Sequence, residues 1–201
     1  MPKVTAHLSI SLDGYIAGPD QSEENPLGVR GFDLHRWHID EPMHEVDAAM
    51  TERIMAPRGA YVMGRNMYGP VRGEWGAEMW TGWWGDEPPY HAPVFVLTHH
   101  PREMLTMQGG TTFTFVTDGI HSAFDQARKA AGDADVAICG GAHTVNQYLA
   151  AGLIDELRLH IAPVVLGAGE RLFDGVGDLS LEPLATSGTA LVTHLTYRVA
   201  P

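Results

Sequence analysis

The chain has 201 residues, 44% of them hydrophobic and 19% charged, with a formal net charge of −12 at pH 7. These values predict one packed domain over residues 1–201 and exclude a disordered chain, and so acidic a surface repels phosphate backbones and argues against a nucleic-acid partner. Cys139 is the one cysteine, so no disulfide framework supports the fold; with no apolar signal segment and no bilayer-length apolar run, the expectation is a cytoplasmic protein with no membrane partner.

Val4 to Leu12 alternates apolar and polar residues, the period of a strand, and stops at the Asp13-Gly14 turn signal. Tyr15 to Arg36 is rich in Gly, Pro, Asn and Asp and reads as a long loop, a kind that is often functional. A helix is expected over Glu41–Met55, with Val46, Ala49, Met50 and Ile54 at helical spacing and Pro57 and Gly59 as stops. Ala60–Met63 reads as a buried strand, followed by an irregular stretch from Gly73 to Pro93 that carries Trp75, Trp80, Trp83 and Trp84. That cluster reads either as an aromatic wall or lid of a pocket, or as a packed surface loop or dimer contact. Strands over Val94–Thr98 and Thr111–Thr117, a helix over Gly119–Ala131, a strand over Asp135–Cys139 and a helix over His143–Ala151 follow. Three strands, Leu157–Ala162, Leu181–Ala185 and Ala190–Val199, close the chain, the last two as a hairpin around Ser187-Gly188. Alternating strands and helices that give way to consecutive strands imply a mainly parallel sheet with antiparallel strands added at one edge.

Three of these strands end in polar or glycine-rich turns. Ala137 to Leu149 runs from a buried strand through Gly140 and Gly141 into a helix. Glycines there let a ligand approach the backbone, and the first helical turn offers N–H groups and a positive dipole end to a pyrophosphate; the other reading is a tight structural turn. Val62 to Tyr68 sets Arg65 behind Gly64, where a planar guanidinium can hold a phosphate or simply cap carbonyls. Val94 to Pro101 ends in Thr98, His99 and His100. Adjacent histidines with no nearby carboxylate or cysteine ligand make a poor metal site, so no metal is expected. Asp13 is the acid at the end of the first strand, and reads either as a proton source or as the Asp of an Asp-Gly turn. Open α/β sheets bind ligands beyond the C-terminal ends of their strands, so the coincidence of these turns weighs more than any one of them.

In this order the motifs resemble the dihydrofolate-reductase-like superfamily, and most of all the RibD C-terminal reductase domain of bacterial riboflavin biosynthesis and its stand-alone relatives. The matching residues are S-L-D-G at Ser11–Gly14, M-G-R at Met63–Arg65, L-T at Leu97-Thr98 and G-G-A at Gly140–Ala142. They continue with G-L-I-D-E-L-R-L-H at Gly152–His160, P-V-V-L-G at Pro163–Gly167 and R-L-F at Arg171–Phe173, so the resemblance covers nearly the whole chain.

The resemblance implies a three-layer αβα sandwich with a mixed, mainly parallel central sheet and a C-terminal antiparallel hairpin. It implies NADPH as cofactor, hydride transfer to a small molecule, and a homodimer. By position it implies that Gly140, Gly141, Ala142, His143, Thr144 and Val145 hold the pyrophosphate, and that Arg65, Thr98 and His99, flanked by Gly64 and Leu97, surround the 2′-phosphate. Ser9, Asp13 and Ile16 then border the nicotinamide, and Trp37, Asp47 and Met50 border the substrate. Asp13 is the first candidate for proton donor, an ordered water the second, and Asp40, Glu41, Glu45 and Asp47 weaker ones on an acidic helix face.

Departures from the family pattern bear on the substrate. The zinc deaminase signature is absent, so the chain is not the bifunctional enzyme. Tyr15 stands where S-L-D-G-R is usual, and His7 stands for a basic residue of the first strand. Both weaken the case for a phosphoribosyl substrate. The expectation is therefore a reductase of a small heteroaromatic, carbonyl or imine compound. Its alternatives are genuine 5-amino-6-(5-phosphoribosylamino)uracil reductase, a nucleotide-binding protein without catalysis, and a flavin-binding variant.

Overall fold

The computed structural model describes residues 2–70, 73–76 and 80–200. Its centre is a nine-stranded sheet built from β1 (Val4–Ile10), β3 (Ala60–Gly64), β4 (Pro93–Leu97), β5 (Leu105–Thr106), β6 (Thr112–Val116), β7 (Val136–Gly140), β8 (Glu156–Ile161), β10 (Ser180–Gly188) and β11 (Thr193–Ala200), in the order β10-β11-β8-β1-β7-β3-β4-β6-β5. A small second sheet pairs β2 (Tyr15–Ala17) with β9 (Glu170–Arg171). From β8 to β6 all neighbours run parallel. Antiparallel strands close both edges, β11 and β10 at one and the two-residue β5 at the other. The sequence pattern predicts them at one edge only; β5 is too short to carry a periodic signal.

Alternation along β1 explains the layers. Val4, Ala6, Leu8 and Ile10 point into the main core. There they meet Ala123 and Ala127 of α4 (Ile120–Ala131) and Val145, Tyr148 and Leu149 of α5 (Ala142–Ala150). The opposite face is covered in two halves. Over β3, β4 and β6 lies an aromatic cluster in which Trp75, Trp80, Trp84 and Tyr90 pack on Tyr61, Tyr68, Phe113 and Phe115. Over β1, β8 and β11 lie α1 (Arg36–Ile39) and α2 (Glu45–Met55).

The α2 helix starts at Glu45 rather than Glu41; Glu41-Pro42 is a cis peptide, and the His44 imidazole caps the helix by accepting from the Val46 N–H. Its single buried residue is Asp47, so the expected apolar face of Val46, Ala49, Met50 and Ile54 is not what docks it. The layer beneath is polar: Trp37 donates from Nε1 to Ser9 Oγ at 3.1 Å and packs its ring against His38, His160 and His194. The terminal hairpin turns at residues 189–192, where the Thr189 N–H donates to the Val192 carbonyl, two residues beyond the expected Ser187-Gly188 turn. No helix among the described residues is long and apolar enough to cross a membrane.

Gly64 and Gly169 are among the glycines that mark close packing. A Cβ on Gly64 would strike the Thr144 hydroxyl, and one on Gly169 the Ala17 carbonyl oxygen. Thus Gly64, at the end of β3, lets the first turn of α5 sit directly against the sheet. Gly64→Ala is expected to cost about 1–3 kcal/mol of stability by overpacking. Adding Thr144→Ala, which removes the obstructing hydroxyl, should recover most of that loss in denaturant melts. A double variant no more stable than Gly64→Ala alone would show that the contact is not limiting.

The histidine layer sets an acid limit. Burial, then Arg158, pushes His7 down to about 3; burial, then His38, pushes His35 down to about 4; and burial, then His194, pushes His160 down to about 2. In the unfolded chain each titrates near the ordinary histidine value of about 6.5. Folded values lie below unfolded ones, so between about pH 6.5 and 4 the unfolded chain binds more protons and stability falls with pH, by up to about 4 kcal/mol per unit for three sites. A typical margin of about 5–15 kcal/mol is then lost within a few units. Circular dichroism should show acid unfolding with a midpoint between about pH 4 and 6; a protein still folded at pH 3 would contradict this account of the layer.

Candidate active site

The parallel strands bring the C-terminal ends of β1, β3, β4, β6 and β7 to one edge of the sheet, and a cavity of about 940 Å³ opens there. That is near the upper end for small-molecule sites, which run to about 1,000 Å³. The edge contributes Ser9, Gly64, Arg65, Leu97, Thr98, His99 and the run Cys139 to Thr144. The facing wall comes from the loop after β2, with Gln21, Leu27, Phe32 and His35, and from Thr51, Ile54 and Met55 of α2. Trp83 and Trp84 close one side, and Trp84 also packs over the second core with Trp75 and Trp80.

The β7–α5 turn is open to the cavity. Gly140 has φ of +141°, a conformation suited to glycine, and the Gly140–Gly141 peptide is cis. A Cβ on Gly141 would meet nothing within 4 Å. Among the described residues no side chain caps α5, so the amides of its first turn, at Ala142, His143 and Thr144, are presented at residues that line the cavity. The Val145 N–H instead donates to the Gly141 carbonyl at 3.1 Å, and its side chain lies in the main core. Val145 therefore belongs to the scaffold of the turn rather than to its binding surface. A second helix start, α4 behind Gly119 (φ +89°), also reaches the cavity without a side-chain cap.

Arg65 stands next to this turn at the start of α3 (Arg65–Tyr68). Its guanidinium lies 3.1 Å from the centroid of the Trp75 ring and donates to Thr98 Oγ1 at 3.2 Å. Thr98 Oγ1 also accepts from the His100 N–H at 3.1 Å, and Trp75 Nε1 donates to the His100 carbonyl at 3.0 Å. The arginine is thus pre-positioned by groups from two other segments. Among the described residues lining the cavity it is the only lysine or arginine, and Glu170 is the only carboxylate. Histidines supply most of the remaining polarity, including His7, His35, His38 and His160.

Asp13 is placed elsewhere. Its carboxylate accepts from Ser11 Oγ at 2.6 Å and from the Leu166 and Gly167 N–H groups at 3.0 and 2.7 Å. The Ser11 hydroxyl, then the two amides, hold it down at about 2. It lies outside the cavity lining, and an acid held ionised in this way is not a proton donor near neutral pH. Its work is to pin the 163–167 segment to the first turn, while Asn146 of α5 donates to the Arg171 carbonyl at 3.1 Å and accepts from the Phe173 N–H at 2.8 Å. The co-occurring S-L-D-G, P-V-V-L-G and R-L-F motifs are therefore parts of one interlocked loop assembly.

The three expected substrate residues are also displaced. Trp37 is fully buried beneath the cavity, Asp47 accepts from His194 Nε2 at 2.9 Å and Thr189 Oγ1 at 3.0 Å, and Met50 does not reach the lining. The cavity face of α2 falls instead at Thr51, Ile54 and Met55. Of the other carboxylates considered there, Asp40, Glu41 and Glu45 are exposed, and Asp40 pairs with Arg36 at 3.0 Å. Ser9 and Ile16 do line the cavity. Sequence reasoning missed Glu170 and His160; only the alternation of β8, which sets His160 opposite Leu159, hinted at the latter.

Residues 2–195 match the family model for the RibD C-terminal domain. A stretch of 59 residues is 41% identical to the uncharacterised protein YyaP of Bacillus subtilis (strain 168), covering 29% of this chain and 31% of that one. The fold is similar to that of a Shewanella sp. PV-4 protein described as belonging to riboflavin biosynthesis (25% identity, 99% of each chain, TM-score 0.67). It is also similar to a pyrimidine reductase-like protein of Corynebacterium diphtheriae (15% identity, 100% of this chain and 92% of that one, TM-score 0.61). The Saccharomyces riboflavin biosynthesis reductase Rib7 shares the fold as well (15% identity, 100% and 89%, TM-score 0.57). With the match running over nearly its full length, the chain belongs to the RibD C-terminal domain family, a family of NADPH-dependent reductases.

Proposed function

We propose that the protein binds NADPH along the C-terminal edge of its sheet and reduces a small heteroaromatic, carbonyl or imine compound that carries no phosphate. The observation that carries this reading is the side-by-side placement of the uncapped α5 start and Arg65. A dinucleotide needs amide donors for its pyrophosphate and, when it bears a 2′-phosphate, a planar cation beside the ribose. The open space over Gly141 fits the first need, and the guanidinium held by Thr98 and Trp75 fits the second. NADPH supplies the hydride when bound, and the chain orients donor and acceptor and excludes water.

The substrate end is apolar and histidine-lined, with Leu27, Phe32, Ile54, Met55, Trp83 and Trp84. It offers a planar molecule stacking and hydrogen bonding, but among its described residues no lysine or arginine for a phosphate. The names of the structural relatives favour a second reading, 5-amino-6-(5-phosphoribosylamino)uracil reduction, which calls for a basic pocket at this end.

Tryptophan fluorescence tests the cofactor reading, because Trp75 lies against Arg65 and Trp83 and Trp84 line the cavity. NADPH is expected to bind at least about tenfold more tightly than NADH, since a charge-assisted hydrogen bond contributes about 1.5–3 kcal/mol. Arg65→Gln should remove most of that preference while leaving NADH binding nearly unchanged. Asp13→Asn should lower Tm by loosening the 163–167 loop and leave NADPH binding in place. Equal affinity for the two nucleotides, or binding of neither, would overturn the reading.

A further inference from the structure

Beneath the cavity runs a chain of buried titratable groups that cofactor binding does not use. Asp47 of α2, His194 of β11 and His160 of β8 are only 1%, 2% and 2% exposed. Asp47 Oδ1 lies 2.9 Å from His194 Nε2, and His194 Nδ1 lies 2.8 Å from His160 Nδ1. Thr189 Oγ1 donates to the second oxygen of Asp47 at 3.0 Å and fixes the carboxylate. At the other end, buried His160 Nε2 has no hydrogen-bond partner among the described residues, and His160 lines the cavity. Among the described residues no set of three or more His, Cys, Asp or Glu side chains is arranged to hold a metal. A buried nitrogen left without a partner is costly, and such groups persist where a ligand or a reaction needs them.

We propose that Asp47, His194 and His160 form a proton relay, with His160 Nε2 handing a proton to the substrate heteroatom during reduction. The proposal rests on the reductase reading. In the loaded state Asp47 is a carboxylate, and His194 is an imidazolium donating from Nε2 to Asp47 and from Nδ1 to His160. His160 is then neutral, with its proton on Nε2. NADPH, when bound, would supply the hydride to the substrate carbon; as the C=O or C=N bond opens, the heteroatom takes the Nε2 proton of His160. The Nδ1 proton of His194 crosses to His160 Nδ1. One proton and one hydride have been added to the substrate, the nicotinamide is oxidised, and the protein retains one carboxylate and two neutral imidazoles. After product leaves, His160 Nε2 regains a proton from water in the cavity, and the Nδ1 proton returns to His194.

Burial and the neighbouring groups keep charge off the His160 ring. The Asp47 carboxylate faces His194 directly. The groups packed around His160 are His194 from β11, His7 from β1, His38 from α1 and Arg158 from its own strand, and with burial they all oppose a second proton on its ring. Trp37 packs against both imidazoles, tilted on His160 and edge-to-face on His194, and holds their orientation. His160 is the catalytic residue of this scheme, and His194 and Asp47 are positioning residues that store and stabilise the proton.

Nitrogen-15 NMR of histidine-labelled protein without cofactor, titrated over the pH range in which it stays folded, tests the relay. The expected result is one coupled step: as pH falls His194 becomes an imidazolium, while His160 stays neutral and changes from the Nδ1–H to the Nε2–H tautomer. Asp47→Asn, which nearly keeps the shape but removes the stabilising charge, should move that step to lower pH or out of the folded range. A His160 that keeps one tautomer throughout, or that becomes charged itself, would overturn the proposal, as would a step unmoved by Asp47→Asn. The titration needs no NADPH, so failure to bind cofactor would defeat the reductase reading alone, and a fixed tautomer would defeat the relay alone.

Discussion

Parallel pairing of β7 between β1 and β3 is the constraint on which the rest of the molecule depends. It sets the end of β7 at the middle of the sheet edge, so the Gly140–Gly141 turn opens centrally, flanked by Ser9 on one side and Arg65 on the other. Short turns then force α5 to begin at that point, and its free amides become part of the cavity rather than of the surface. The fit of Gly64 against Thr144 keeps the helix close enough for this to hold.

The two halves of the sheet's second face do different work. Over β3, β4 and β6 an aromatic cluster of edge-to-face pairs, such as Tyr68 against Phe113 and Phe115, supplies packing and carries Trp75 to its place against Arg65. Over β1, β8 and β11 packing is done by polar rings. A wholly apolar layer there would be more stable, because buried polar groups are favourable only when fully partnered. His7, His35 and His160, each with a buried nitrogen that has no hydrogen-bond partner among the described residues, also line the cavity, and stability in acid is surrendered there.

Much of this was legible in the sequence, and the limits have physical causes. Strict alternation in Val4–Ile10 and buried runs such as Ala60–Gly64 announced the sheet strands, while glycines behind strands announced the turns. The two-residue strands β5 and β9 had no period to read. The α2 helix misled, because a stripe of Val46, Ala49, Met50 and Ile54 suggests an apolar docking face, whereas tertiary pairing with His194 and Thr189 rotates Asp47 inward instead. Asp13 misled for the opposite reason. Its partners at Leu166 and Gly167 lie far along the chain, so a local reading could weigh only a turn or a catalytic acid, not a tie between distant loops. The cavity residues given by local strand-to-turn signals, such as Arg65, Thr98 and Gly141, needed no long-range information; His160 and Glu170 did.

The most direct test of the central claim is a crystal structure of the protein with NADP⁺. The account predicts the pyrophosphate over the Gly140–Gly141 turn within hydrogen-bond distance of the Ala142, His143 and Thr144 amides, and the 2′-phosphate on the Arg65 guanidinium. A dinucleotide bound elsewhere, or one whose 2′-phosphate points away from Arg65 into solvent, would contradict it.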